Sequence, residues 1–154
     1  MYEPILFVHS WFRWIVYLSI IYFFFRSTYG WLKKKPWKHS DTNFIWAFDQ
    51  IFNYQILFGF ILWLAGSPLT KAVFADPGAA LQNNVISFFT IRHGLTMIFA
   101  LGLFHIGKAR ARKSPEEKRF KIYSIVFGLV FVIVSSAIPW PGLIYGRDLF
   151  KWFL

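Results

Sequence analysis

The chain has 154 residues, of which 56% are hydrophobic and 23% aromatic, and its formal net charge is +10. That apolar content exceeds the roughly 45–50% of soluble domains, and the length leaves room for one helical unit without a separate soluble domain. The absence of Cys excludes disulfides, thiolate metal sites, Fe–S clusters and covalently attached c-type haem.

Four long apolar stretches follow one another at 4–25, 44–66, 84–107 and 120–138. At about 1.5 Å per residue each is long enough to cross a hydrocarbon core of roughly 30 Å. Backbone groups in lipid must be satisfied within the segment, so such stretches are expected to be helices. The expected fold class is therefore all-α, a polytopic membrane protein with a four-helix antiparallel bundle formed as one domain over 1–154. The first stretch has no basic n-region before it and no small-residue cleavage site after it, and is expected to be a retained helix.

Charge placement sets the expected orientation. Twelve of the 17 basic residues fall in loop one (Arg26, Lys33, Lys34, Lys35, Lys38) and loop three (Lys108, Arg110, Arg112, Lys113, Lys118, Arg119, Lys121). The positive-inside rule puts those loops in the cytoplasm and both termini on the outer, periplasmic side. Their expected partner is the anionic surface of the lipid bilayer, with no role for nucleic acid.

Punctuation agrees with four helices. All seven prolines, at 4, 36, 68, 77, 115, 139 and 141, lie at helix ends or in loops. Ser114-Pro115-Glu116-Glu117 reads as a capping box with Pro at the first helical position, which would start the fourth helix in the cytosol. The 67–76 segment is expected to form one interfacial turn, and Asp76-Pro77-Gly78 to begin the third helix outside the membrane. The tail, 139–154, alternates aromatics with charges and suits the outer headgroup zone.

The polar residues inside the spans fall at matching depths. His9 lies 17 residues before Arg26, about 25 Å, and His93 lies 15 before Lys108, about 22 Å. The two imidazoles are thus within about one turn in height. Arg13 follows His9 by four residues on the same face, Arg92 adjoins His93, and Gln55 comes near the same level on the second helix. A lower layer holds Asp49 and His105, a candidate proton-transfer or structural pair, since a carboxylate in a spanning helix needs a partner. His105 follows His93 by a rotation of about 120°, so the two do not share a face.

Two level histidines on different helices are what axial ligation of a b-type haem needs, because the iron takes ligands from opposite sides. Arg13 or Arg92 can then pair with the propionates. A buried quinone, or a structural polar layer, are the alternatives for the same residues. One haem is the ceiling, because the inner end of the first helix carries no second His. Gly-rich phosphate loops, HExxH, Gly-x-Ser-x-Gly and clustered carboxylates are all absent.

The runs His9-Ser10-Trp11-Phe12-Arg13-Trp14, Asp49 through Gln55, Arg92-His93, Ile138-Pro139-Trp140-Pro141 and Tyr145-Gly146-Arg147 resemble small bacterial four-helix membrane proteins labelled "cytochrome B". The resemblance covers nearly the whole chain. It implies an inner-membrane, haem-binding or respiratory-chain-associated role, with His9 and His93 as the ligating positions. From another class, the 20 Phe, 8 Trp and 7 Tyr suit a haem-free accessory or assembly subunit that docks a respiratory complex or a second copy.

Overall fold

The computed structural model describes residues 2–64 and 67–150 and contains no strand among them. The end of the second expected span and the last four residues of the tail lie outside the described residues. Four helices are long and apolar enough to cross a membrane. They are α1 (Tyr2–Leu32), α2 (His39–Leu64), the continuous run Asn84–Lys113, and α7 (Glu116–Ala137). Two short helices, α3 (Pro68–Ala75) and α4 (Pro77–Gln82), connect α2 to the third span. That span is built of α5 (Asn84–Ser87), a π-helical turn over Phe88–Arg92, and α6 (His93–Lys113).

Each helix outruns the apolar stretch that announced it. α1 continues through Arg26 to Leu32 and α6 through Lys108 to Lys113, because once a helix is nucleated, polar residues beyond the lipid boundary extend it at little cost. The fourth helix starts at Glu116 without the expected capping box, since Ser114 Oγ donates to the Arg110 carbonyl at 2.9 Å instead of turning to the next helix. The 67–76 segment is a helix, not a turn. Ser67 Oγ caps it by accepting from Leu69 N at 3.2 Å, and Pro68 fits the first position, where no N–H is needed. Asp76 caps α4, not the third span, by accepting from Ala79 N at 3.0 Å.

Around the bundle, α1 packs between α2 and α7, α6 packs on α7, and α2 meets α6 along the shortest seam. So α1 and α6 lie on one diagonal. The core is aromatic: Phe48 stands 5.0 Å from Phe104 and 5.1 Å from Phe127, and Phe23 stacks on Phe127 at 5.3 Å. Lipid is as apolar as these rings, so tight packing and interhelical hydrogen bonds, not the hydrophobic effect, hold the helices together. Gly107 provides one close approach, because a Cβ there would collide with Val126 of α7. Tyr17 bonds Ser135 at 3.0 Å and Thr28 bonds Ser124 at 2.8 Å, both between α1 and α7. Arg26 and Asp41 tie α1 to α2 at 2.7 Å.

The tail folds back over the bundle end. Arg147 N donates to the Pro139 carbonyl at 3.1 Å, and Gly142 takes a φ of 90°, a conformation glycine adopts freely. Leu149 is fastened to α1, its carbonyl accepting from Arg13 Nη2 at 2.7 Å and Trp14 Nε1 at 2.8 Å. The first and last described residues, Tyr2 and Phe150, therefore lie at the same end of the bundle, together with α3 and α4.

Candidate functional site

A cavity of about 110 Å³ opens at that end, between α1, α2, α3 and the third span. His9 and His93 meet across it from the diagonal helices, their ring centroids 6.2 Å apart and their planes at 77°. The π-helical turn leads directly into His93. Such a turn inserts an extra residue into the α-helical register, and π-bulges occur often at functional sites. Here it brings Phe89 and Thr90 to the cavity wall alongside His93.

Each imidazole is held from behind. His93 Nδ1 donates to the Ala137 carbonyl at 2.8 Å, where α7 ends, which leaves Nε2 with the lone pair. Metal-ligating histidines are oriented in the same way. Gln55 Nε2 donates to the His9 carbonyl at 3.1 Å and stands 3.4 Å from His9 Nε2. Gly59 faces the same ring, and a Cβ there would sit 3.1 Å from His9 Cε1.

The cavity gathers unfinished hydrogen bonding. Among the described residues, the buried side-chain polar atoms without a partner are His9 Nδ1, Arg13 Nε, Gln55 Oε1, Thr70 Oγ1 and Arg119 Nε. The first four residues all line this one cavity. Each such atom costs about 1–3 kcal/mol if left alone, and four polar side chains with hydrogen-bonding capacity to spare meet at this one cavity. Leu6, Leu62, Trp63 and Met97 supply apolar walls.

Arg13 lines the cavity while its Nη2 holds the tail and its Nε is buried without a partner, and Gln55 serves His9 instead of Arg13. Arg92 does not reach the cavity. Its Nη2 donates to the Asn84 carbonyl at 3.1 Å and its guanidinium lies over the rings of Phe88 and Tyr145. The second cavity arginine is Arg147, 4.0 Å above the Phe89 ring. Sequence reasoning left Arg147 among the outer charges and Thr70 in a turn. Only the return of the tail and the formation of α3 bring them in, and neither has a periodic signal.

Toward the other end, Asp49 is buried and answered from α6. His105 Nε2 lies 2.9 Å from Oδ1 and Lys108 Nζ 2.5 Å from Oδ2, and Asn53 Nδ2 donates to Oδ1 at 3.2 Å. Lys108 was expected only as a loop charge. With Trp63 Nε1 donating to the Thr90 carbonyl in the π-helical turn at 3.1 Å, α2 is tied to the third span toward both of its ends. No group of three His, Cys, Asp or Glu side chains able to hold a metal ion occurs among the described residues.

Fold and site together define a four-helix membrane protein with a paired-imidazole cavity at the end that carries α3 and the folded-back tail. Compared with protein-family models, curated proteins and solved structures, the chain matches none.

Proposed function

We propose that this protein holds a redox cofactor within the membrane, a b-type haem with His9 and His93 as its two axial ligands, and serves one-electron transfer beside a quinone or a respiratory complex. The observation that carries the reading is that His9 and His93, from two different helices, meet at one cavity with ring centroids 6.2 Å apart. The Ala137 carbonyl keeps His93 Nε2 available, and His9 Nδ1 is buried without a partner.

The donors fit, whereas the enclosed space is small. Ligand pockets begin at roughly 300 Å³, against about 110 Å³ here. A macrocycle would therefore require the apolar wall that includes Leu62, Trp63 and Met97 to open. Gly59 contributes no side chain beside His9. Arg13 and Arg147 are the residues to receive propionates. Bound haem supplies a one-electron couple, and the chain contributes ligands, orientation and exclusion of water.

The volume favours a second reading. A single quinone ring is closer in size to the cavity, and His9, Gln55, Thr70 and Arg13 offer it hydrogen-bonding atoms that now lack partners. The charge bias between the two ends argues for the cavity facing the outer, periplasmic side of a bacterial inner membrane.

Expression with ample haem, purification in mild detergent and a reduced-minus-oxidised spectrum test the first reading. Soret and α bands lost in both His9→Ala and His93→Ala are expected. A colourless protein that releases quinone on solvent extraction moves the assignment to the second. A protein with neither, co-purifying in fixed stoichiometry with another subunit, would make it a haem-free accessory component.

A further inference from the structure

At the opposite end of the bundle a separate recess of about 400 Å³ lies between α2, α6 and α7. Lys108 and Arg112 reach it from α6 and Arg119 from α7. Lys108 and Arg112 are four residues apart and so share one helix face, and Arg119 comes from across the α6–α7 connection. Trp37 and Tyr123, stacked at 5.3 Å with planes 16° apart, contribute an aromatic wall, and Trp46 another. A neighbouring recess shares Lys108 and Arg112 and continues along the α2–α6 seam past Ala109 and His105.

We propose that this recess is a discrete binding site for a phosphate group, presented by an anionic phospholipid whose acyl chains run along the exposed apolar face of Trp46. Three cations from two helices converge on one cavity, whereas the loop-one residues Lys33, Lys34 and Lys35 do not line it. The acids nearby do not cancel them all. Asp49 is taken up by Lys108 and His105, and exposed Glu116 holds only Nη1 of Arg119, at 3.0 Å. Arg119 Nε is buried without a partner, and the Arg112 side chain is exposed at the recess.

Phosphate oxygens satisfy both guanidinium groups, which suit its geometry better than ammonium does. The source is argued from position. The recess lies where helices pass from apolar to basic sequence, its tryptophans suit the membrane interface, and basic pockets between spanning helices are recognised seats for phospholipid headgroups. A free phosphate would leave the apolar flank without a role.

Native mass spectrometry of the detergent-solubilised protein tests this, with phosphatidylglycerol, phosphatidylcholine or inorganic phosphate added as probe. The expected result is one retained phosphatidylglycerol per chain and little phosphatidylcholine. Retention should fall about tenfold or more in Arg112→Gln/Arg119→Gln and stay unchanged in Lys33→Gln/Lys34→Gln. Equal losses in the two double variants would reduce the effect to diffuse attraction and overturn the proposal. Displacement of the lipid by inorganic phosphate would overturn the lipid as source. Thermal unfolding of each variant separates lost binding from lost fold. The spectrum or quinone content of the cavity at the other end reports that site independently.

Discussion

Lys108 Nζ stands 2.5 Å from Asp49 Oδ2 across the α2–α6 seam, where these two helices otherwise share little surface. With His105 on the other carboxylate oxygen, the contact replaces packing by charge at the weakest edge of the ring. Asp49→Asn is expected to destabilise the protein by roughly 1–3 kcal/mol, below the roughly 3–5 kcal/mol for breaking a fully buried pair, because Lys108 can still reach water or headgroups. Thermal unfolding in detergent checks it. The Asp49→Asn/Lys108→Gln double variant should recover part of the loss, and an additive further loss would show that the pair is not coupled.

Arg13 and Arg92 should separate clearly. Arg13→Gln removes a charged donor from the Leu149 carbonyl, an interaction worth about 1.5–3 kcal/mol. Hydrogen exchange in the 143–150 tail should speed up accordingly, and ligand retention in the cavity should fall. Arg92 is exposed and faces its own helix start, so Arg92→Gln should change stability by less than about 0.5 kcal/mol. Equal tolerance of both substitutions would remove Arg13 from the site.

Arg147 offers a test that sequence reasoning did not suggest. Its guanidinium lies over Phe89 and lines the cavity. If anionic groups of a cofactor are received there, Arg147→Gln should weaken retention about tenfold, the worth of one charged hydrogen bond, while the unfolding midpoint shifts little. A retained cofactor with normal spectrum in this variant would assign the anion-receiving role to Arg13 alone.

Depth was legible in the sequence and azimuth was not. The rise per residue is fixed, so counting from Arg26 and Lys108 placed His9 and His93 at one level, and hydropathy located all four spans. The direction in which a side chain leaves its helix depends on neighbours. The π-helical turn before His93 has no sequence signature in Phe88–Arg92, and its extra residue changes which side chains accompany that histidine into the cavity. The tail is a sharper case. Tyr145 stacks on Phe88 at 3.8 Å and Leu149 accepts from α1, contacts set by one turn at Gly142 and not by any periodic pattern. The Ser114 capping box failed for a local reason: the Ser114 hydroxyl had a nearer acceptor in its own preceding helix turn.

Gly59→Ala distinguishes a binding cavity from a merely structural polar layer. Gly in a helix interior is less favourable than Ala by about 1 kcal/mol, so the substitution should strengthen α2 by itself. The added methyl would meet His9 Cε1 at 3.1 Å, closer than ordinary van der Waals contact, and would press the imidazole away from its place opposite His93. If Gly59 is there to keep the ring and the space beside it free, the variant should unfold at an equal or higher temperature yet hold markedly less haem or quinone. The two readouts must move in opposite directions. A variant that loses stability and ligand together would point to general damage to the α1–α2 packing. One that keeps its ligand in full would show that the space beside His9 is not where the ligand lies.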